Sequence, residues 1–415
     1  MLSERYKGDG IATIELNDIQ KKYLDEFRKK WNSGVYQREN FSCECGNTKE
    51  FEVLGEKDRY GLPVMTVICK HCGLVMTNPR MTADSYDRFY ASEYPLIYRA
   101  ISKPDDHYFL NRVAYGHSVV DFIEEKGKSC GKEVLEIGCA GGGIVKAFEE
   151  RGYHALGVDL SPSYIEFGKS KGVNVRCCHS GKLLKENKVY DIIILNHVLE
   201  HFTDLKNELE IVRKLLNPQG GLLFVAVPGI KNLLFSYCND FLQFLQNAHV
   251  YHFTQDTLVQ TLKLHGFDVV YANEKVEALF CIGKKADIID NYYEDILTFL
   301  RNLEVHREDV SSMIFDRIRN LVSQYAKQEV VIYGTGKAAD KLLDALGNMS
   351  QIKGFLTKTS LEVKSYRGYP ILDVTHLQGV KCIVISSGTY GKEIYNRIKY
   401  LEKEGIVIKF VYEYS

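Results

Sequence analysis

A strand, a glycine-rich turn, a helix and a second strand that ends in an acid follow one another near the middle of the chain. Residues 134–137 (VLEI) predict a buried strand, 138–143 (GCAGGG) the turn, 144–151 the helix and 155–158 the second strand, which stops at Asp159. Glycines let a ligand approach the backbone closely, and a helix N-terminus offers free N–H groups. An acid at the strand tip can accept both hydroxyls of a ribose. The pattern predicts an α/β domain with a nucleoside site.

The segments after this unit continue the same alternation. Residues 191–195 and 222–227 predict two further buried strands, and 215–221 (LLNPQGG) predict the turn before the second of them. With these segments, residues 131–230 resemble the class I methyltransferases that use S-adenosylmethionine. The resemblance implies a Rossmann-like methyltransferase domain with S-adenosylmethionine as its cofactor.

The resemblance also implies roles for single residues. Glu136 and Gly138 match the positions that order the turn and the methionine end of the cofactor, and Asp159 matches the ribose-binding acid. His197 would lie beside the sulfonium and is a candidate catalytic residue, with a structural role as the alternative. The candidate cofactor contacts on this stretch are Glu136, Gly138, Gly141, Asp159, Leu160, Ser180 and Asn196.

A run of aromatic residues precedes the glycine turn. It consists of Tyr86, Phe89, Tyr90, Tyr94 and Tyr98, spaced one to four residues apart. Such spacing is typical of a helix face that packs on the next domain. The alternative is an aromatic lid over the cofactor, with Tyr90 and Tyr94 as further cofactor contacts.

Four of the 11 cysteines form two close pairs, Cys43 with Cys45 and Cys69 with Cys72. Two such pairs can place four thiolates tetrahedrally around one Zn²⁺, with no position left for a catalytic water. We therefore predict a structural zinc site, with reduced, buried cysteines as the alternative. Glu44, between the first two cysteines, is expected to be solvated.

The composition argues against nucleic acid and membranes as partners. Lys and Arg number 53 against 54 Asp and Glu, so no basic surplus favours nucleic acid as a partner. The longest nearly apolar stretch, 220–230, is much shorter than the ~20 residues that a membrane span requires. The N-terminus has no apolar segment typical of a signal peptide. We expect a cytoplasmic protein without membrane insertion.

A second strand and glycine turn occur near the C-terminus, at 330–339 (VVIYGTGKAA). Strand-like runs follow at 354–356 and 381–385, which predicts a smaller Rossmann-like domain. Thr357 follows the second strand where an acid would bind a ribose, so a nucleotide or sugar-phosphate site and a scaffold role both stay open. The predicted division is a helix and zinc-binding module at 1–80, a methyltransferase domain at 81–286, a helical linker at 287–327 and the C-terminal domain at 328–415.

The order of these parts resembles the three-domain, zinc-containing sugar C-methyltransferases of deoxysugar and polysaccharide biosynthesis. The resemblance implies a small-molecule acceptor, a nucleotide-linked sugar, and a catalytic base at His249, which stands in the segment AHVYHFT. Ala248 occupies the position of that family's glutamate, and VEALFCI at 276–282 replaces its glycine-rich segment. Both C- and O-methylation stay open.

Two other functions remain as alternatives. One is a methyltransferase for an acceptor that is not a sugar, and the other is a cofactor-binding scaffold without catalysis. His201 and His252 are interpreted as structural histidines. The sequence does not indicate an oligomeric state.

Overall fold

The structure is a computed structural model that describes residues 1–99, 104–127, 131–234, 236–286, 289–357, 364–387 and 391–412. The chain forms two compact units. The first contains Met1–Asn232 and Leu242–Leu300, and the second contains Leu233–Phe241 and Arg301–Ser415. The N-terminal module shares the first unit with the methyltransferase segment.

Twelve α-helices occur in the described residues. They are α1 (Asp18–Asn32), α2 (Ala83–Ala91), α3 (Asp106–Lys126), α4 (Gly143–Glu150), α5 (Pro162–Ser170), α6 (Leu205–Leu215), α7 (Phe241–Phe244), α8 (Gln255–Leu264), α9 (Tyr293–Val305), α10 (Arg307–Ser323), α11 (Lys337–Leu346) and α12 (Gly391–Ile398).

Thirteen of the described strands lie in the first unit and six in the second. Those of the first unit are β1 (Arg38–Glu39), β2 (Phe51–Lys57), β3 (Pro63–Cys69), β4 (Val75–Thr77), β5 (Arg80–Met81), β6 (Glu133–Ile137), β7 (His154–Asp159), β8 (Val175–Cys177), β9 (Ile192–Asn196), β10 (Leu222–Ala226), β11 (Tyr251–His252), β12 (Phe267–Ala272) and β13 (Glu277–Ile282). Those of the second unit are β14 (Val330–Tyr333), β15 (Ile352–Leu356), β16 (Ser365–Tyr366), β17 (Tyr369–Pro370), β18 (Cys382–Ile385) and β19 (Val407–Phe410).

A seven-stranded sheet forms the centre of the first unit, in the order β12-β13-β10-β9-β6-β7-β8. The strands β8, β7, β6, β9 and β10 are parallel, and β13 is antiparallel to both of its neighbours. β9 and β10 are buried along their whole length, as expected for strands covered on both faces. The predicted Rossmann-like α/β fold is confirmed. The strand order reverses between β6 and β9, which is where ligands bind in such sheets.

The N-terminal segment forms a four-stranded antiparallel sheet in the order β11-β4-β3-β2. Its outer strand β11 comes from the segment after β10, and Tyr251 pairs there with Met76. Thr77 adds two bonds, because its backbone N–H donates to the oxygen of Val250 and its hydroxyl donates to that of His249. The cysteine-containing module therefore holds the histidine segment in place.

The second unit contains a four-stranded parallel sheet in the order β15-β14-β18-β19. The helix α11 follows β14 across the glycine turn at 334–336, as the sequence predicts. A short hairpin of β16 and β17 accompanies the sheet. Within the described ranges of the whole chain, no helix is long and apolar enough to cross a membrane.

Candidate functional site

The glycine turn after β6 closes tightly against its surroundings. Gly138 has φ 73°, and a Cβ added there would lie 2.4 Å from Cγ2 of Val198. Only glycine fits this position, since its backbone conformation is left-handed and the space for a side chain is already filled. Asp159, at the end of β7, accepts hydrogen bonds from the N–H groups of Ala140 and Ser161, each at 2.8 Å. A carboxylate oxygen has two lone pairs, so both oxygens can still accept a ribose hydroxyl.

Glu136 lies beneath this turn as a buried acid, 2% exposed. Among the described residues, its Oε2 has no hydrogen-bond partner. Burial raises the pKa of Glu136 to about 8, and the charge of Arg112 only partly opposes this shift. A buried carboxylate oxygen without a partner is costly unless a cationic ligand pairs with it. The amino group of S-adenosylmethionine is such a ligand, so the site fits the cofactor that the sequence implies.

The remaining predicted cofactor contacts differ in exposure. Asn196 is buried at the end of β9, and its Oδ1 accepts a bond of 2.9 Å from the hydroxyl of Tyr115. Ser180 is buried at the start of a 3₁₀ segment, Ser180–Glu186, and Leu160 is 65% exposed beside Asp159. Their cofactor contacts stay predictions. Two neighbours of these residues were not predicted from the sequence. Tyr115 bonds to Asn196, and the charge of Arg112 acts on Glu136, but both lie on α3, where no sequence motif marks them.

Polar side chains collect directly after β9. His197 follows Asn196 with φ 56°, a left-handed conformation that is uncommon outside glycine. Its Nδ1 lies 3.5 Å from Oε1 of Glu200. The metal-binding atoms of Glu200, His201 and His249 all lie within 4.8 Å of one another. We call these three residues the Glu-His-His cluster.

The segment that contains His249 is buried against this cluster. The backbone N–H of Val250 donates to the oxygen of Glu200 at 2.8 Å, and the rings of His201 and His249 lie 4.9 Å apart. Burial lowers the pKa of His249 well below its usual value, with smaller effects of the nearby His201 and His252. His249 is therefore neutral at physiological pH and presents a nitrogen lone pair. The structure thus brings the two predicted catalytic histidines, His197 and His249, to the same acid, although Glu200 itself was not predicted.

His252 is interpreted as structural, and its surroundings agree. It is buried beside Phe244, with ring centroids 5.5 Å apart. Neither ring nitrogen has a hydrogen-bond partner among the residues that the structure describes. Burial lowers its pKa to about 3, so it adds no charge.

Some residues of the aromatic run lie in the hydrophobic core, and others lie beside the Glu-His-His cluster. Tyr86 and Phe89 on α2 are buried in the core, as the packing interpretation predicts. The hydroxyl of Tyr90 lies 3.0 Å from Nδ1 of His201 and donates to the oxygen of Ala248. Tyr94 packs its ring against that of Tyr90 at 4.9 Å. The described contacts therefore connect Tyr90 and Tyr94 with the Glu-His-His cluster, and their predicted contact with the cofactor stays a prediction.

The four predicted metal-binding cysteines do come together. The sulfurs of Cys43 and Cys72 lie 3.5 Å apart, and those of Cys45 and Cys69 lie 3.6 Å apart. Tetrahedral zinc with Zn–S bonds of about 2.3 Å separates its sulfurs by about 3.8 Å, so the donor set fits the metal. The glycine after each pair, Gly46 and Gly73, has a positive φ.

One expectation about this module is wrong. Glu44 was expected to be solvated, but its side chain is only 14% exposed. Its Oε1 accepts a hydrogen bond from the hydroxyl of Tyr251, and its Oε2 lies 2.8 Å from Nε2 of His265. Tertiary contact explains the error, because both partners come from the segment after β10.

Known proteins are similar to the central part of the chain. A family described as a methyltransferase domain matches residues 111–272, which include the glycine turn, Asp159 and the Glu-His-His cluster. A ubiquinone biosynthesis O-methyltransferase of Coxiella burnetii is 27% identical over 165 residues, which are 35% of this chain and 70% of that protein. Its counterpart in Rickettsia conorii is 24% identical over 183 residues, 37% of this chain and 63% of that protein.

Solved structures of methyltransferases are also similar. The 1,6-didemethyltoxoflavin-N1-methyltransferase of Burkholderia thailandensis has a TM-score of 0.36 at 16% identity, over 52% of this chain and 96% of that one. A SAM-dependent methyltransferase of Archaeoglobus fulgidus has a TM-score of 0.32 at 23% identity, over 48% of this chain and 92% of that one.

Proposed function

We propose that this S-adenosylmethionine-dependent methyltransferase methylates a hydroxyl oxygen of a small-molecule acceptor, and that the acceptor is a nucleotide-linked sugar. The proposal depends on one observation above the others. The Glu-His-His cluster begins four residues after Asn196, at the reversal of strand order where the sheet binds its ligand. An acceptor beside this cluster would have groups close to it that can assist the loss of its proton.

The cofactor would be held by the turn after β6 and the strand tips beside it. Asp159 is available to the ribose hydroxyls and Glu136 to the amino group, with Gly138 and Gly141 leaving room along the turn. When bound, S-adenosylmethionine supplies an activated methyl group. The protein then has to orient the acceptor and assist the loss of its proton.

An oxygen is favoured over a carbon as the methylated atom. Ala248 stands where the resembling sugar C-methyltransferases have a glutamate beside their catalytic histidine, so part of that machinery is absent from the sequence. The names of the two relatives are those of O-methyltransferases. The sugar is supported by the three-part order of the chain, in which a cysteine-containing sheet, a methyltransferase domain and a smaller parallel α/β domain follow one another.

A phenolic hydroxyl is the second candidate. It is supported by the relatives named for ubiquinone biosynthesis, whose similarity covers about a third of this chain. A sugar and a phenol would present the same kind of group to the Glu-His-His cluster, so the two candidates differ in the acceptor and share the proposed chemistry.

The experiment is methyl transfer from isotope-labelled S-adenosylmethionine to a panel of nucleotide sugars and catechols, with products identified by mass spectrometry and fragmentation. We expect a labelled O-methyl sugar. A labelled carbon would contradict the choice of oxygen, and a labelled catechol alone would contradict the sugar. The variant His249→Gln should still bind the cofactor and lose turnover at least about 100-fold, whereas His154→Gln, at an exposed position, should match the unmodified chain.

We propose separately that Cys43, Cys45, Cys69 and Cys72 bind one structural zinc ion. Replacing Cys69 with serine should remove about one zinc per chain and lower the melting temperature, because a structural zinc site contributes directly to folding. Cys177→Ser is the control, since that cysteine is exposed and lies outside the four. Equal zinc contents in the two variants would contradict the site.

A further inference from the structure

The Glu-His-His cluster has the composition of a metal site outside the cysteines. It offers one carboxylate and two imidazoles, with ligand atoms within 4.8 Å of one another. Its members come from two segments, since Glu200 and His201 follow β9 and His249 precedes β11. Two imidazoles and one carboxylate form a donor set for first-row divalent metals that leaves coordination positions open.

Hydrogen bonding orients His201 as a ligand. Its Nδ1 lies 2.9 Å from the carbonyl oxygen of Ala248, which can only accept a hydrogen bond. The hydroxyl of Tyr90 also lies 3.0 Å from Nδ1. In the tautomer that donates from Nδ1 to Ala248, Nε2 carries the lone pair. Metal-binding histidines are usually fixed in this way, by a backbone carbonyl or a carboxylate that accepts from the nitrogen opposite the metal. The Nε2 of His201 lies on the side of Glu200, 3.9 Å from Oε1.

Glu200 supplies an independent observation that indicates a ligand. Its side chain is 2% exposed, and neither carboxylate oxygen has a hydrogen-bond partner among the described residues. Burying an ionised carboxylate is costly unless an opposite charge or hydrogen bonds compensate. A bound cation would satisfy the carboxylate and could be coordinated by both imidazoles.

We propose that Glu200, His201 and His249 bind a divalent first-row metal ion such as Zn²⁺, Co²⁺ or Mn²⁺, and that the hydroxyl oxygen of the acceptor completes its coordination. The part of the inference that concerns the acceptor hydroxyl rests on the proposed function, whereas the metal site itself does not. Nitrogen ligands favour these ions over Mg²⁺, which prefers oxygen ligands and retains several waters. In this arrangement His249 acts as a metal ligand. The ion, and not a free base, then promotes the loss of the proton from the acceptor hydroxyl.

The chemical step balances without a further reactant. Coordination to a divalent ion lowers the pKa of a hydroxyl, and the proton leaves to water on the side of His197, which is 52% exposed. The acceptor oxygen then forms a bond to the methyl carbon as the bond from that carbon to sulfur breaks. The electron pair of the broken bond stays on sulfur, which becomes a neutral thioether. The products are the methyl ether, S-adenosylhomocysteine and one proton.

The test counts metal ions per chain without reference to any acceptor. The full chain and its variants are saturated with Co²⁺, separated from unbound ion, and measured by elemental analysis and absorption spectroscopy. The difference between chains is the readout, so it does not depend on whether the cysteines bind a metal. We expect Glu200→Gln and His249→Gln each to bind one ion fewer than the unmodified chain, with affinity at this site at least about 100-fold weaker.

The control variant is His252→Gln, at a buried histidine whose ring lies 5.8 Å from that of His249 but which is not a member of the cluster. It should bind as many ions as the unmodified chain. Circular dichroism shows whether each variant is folded. Two independent variants keep the result interpretable if one of them unfolds.

Equal metal counts in the unmodified chain and in the folded Glu200→Gln and His249→Gln variants would overturn the inference. So would the loss of one ion in His252→Gln with no loss in the other two. A chain that binds the extra ion but methylates neither sugars nor catechols would support the metal site and contradict the proposed function. The reverse result, turnover without the ion, would support the function and contradict the site.

Discussion

Two strand, glycine turn and helix units occur in this chain, one in each compact unit, and they differ in the groups around the turn. After β6, a buried acid (Glu136) lies beneath the turn and a second acid (Asp159) binds its backbone. After β14, Thr357 stands at the tip of the neighbouring strand, and its hydroxyl accepts from that of Thr335 at 3.5 Å. The backbone pattern is shared, whereas Thr357 stands where the first unit has Asp159.

The two turns are also closed by different contacts. At Gly138 an added Cβ would meet the apolar side chain of Val198, which directly precedes the segment of the Glu-His-His cluster. At Gly334 it would meet the hydroxyl of Ser386 at 2.5 Å. Ser386 is buried and donates to the oxygen of Tyr333. The first turn is therefore packed against the residue that precedes the Glu-His-His segment, and the second is packed against its own sheet.

The comparison shows that a glycine turn does not by itself identify a cofactor site. A cationic, ribose-containing ligand needs an acid beneath the turn and an acid at the tip of the next strand. Glu136 and Asp159 provide both after β6, whereas Thr357 takes the second place after β14. Binding of S-adenosylmethionine should therefore respond to substitutions around the first turn and be insensitive to those around the second.

Among substitutions at the two turns, Asp159→Ala should have the largest effect on the affinity for S-adenosylmethionine. It removes the acceptor of two backbone bonds in the turn and the proposed acceptor for the ribose hydroxyls. With bonds to a charged group worth about 1.5–3 kcal/mol each, affinity for S-adenosylmethionine should fall about 100-fold or more. Isothermal titration calorimetry measures the change. Thr357→Ala, at the corresponding place of the second turn, is the control and should leave the affinity within about twofold. Equal effects of the two variants would remove the distinction between the turns.

The sequence predicts this part of the molecule well, for a physical reason. Strands, turns and helices of the central sheet follow from local periodicity and glycine spacing, and the helix predicted at 144–151 spans Gly143–Glu150 in the structure. The four cysteines are likewise found from spacing alone. The acids at the first turn stand within or directly after their strands, so their place at the sheet edge follows from the strand order.

The parts that the sequence does not predict depend on tertiary contacts. Glu200 stands between Leu199 and His201, and nothing in this short segment shows that both of its oxygens would be buried without partners. Its contact with His249 requires β11 to pair with β4 of the N-terminal sheet. That pairing crosses the predicted domain boundary at residue 80. The spacing of the aromatic residues likewise does not predict the described contacts of Tyr90 with His201 and Ala248.

Glu136→Gln should have an intermediate effect, because it removes the charge proposed to pair with the cofactor's amino group and keeps the shape. Affinity for S-adenosylmethionine should fall about tenfold near pH 8. The pKa of Glu136 is raised to about 8, so the free protein must release a proton to bind the cation. Affinity of the unmodified chain should then rise with pH, by up to about tenfold per unit, and level off near pH 8. The variant should show no such rise, and parallel pH profiles would contradict the pairing.

The same shift predicts the pH dependence of stability. The pKa of Glu136 lies near 4.5 in the unfolded chain and near 8 in the folded one, so the folded state holds the additional proton between these values. Its contribution is complete below about pH 4.5 and is lost as the pH rises through about 8. Without the cofactor, Glu136→Gln should therefore melt at an increasingly higher temperature than the unmodified chain as the pH rises to 8. A melting difference that does not change with pH would contradict the raised pKa.

Gly334→Ala should have the smallest effect on the cofactor and a local effect on stability. Gly334 has φ 118°, a conformation that side chains rarely adopt, and the added Cβ would collide with Ser386. We expect a loss of about 1–3 kcal/mol in the stability of the second unit, measured by hydrogen exchange of the β14 and β18 amides, with unchanged affinity for S-adenosylmethionine. Gly336→Ala is the matched control, because φ is −107° there and no described atom outside its chain neighbours lies within 4 Å of the added Cβ. A tenfold loss of cofactor affinity in Gly334→Ala would show that the second turn also serves the cofactor.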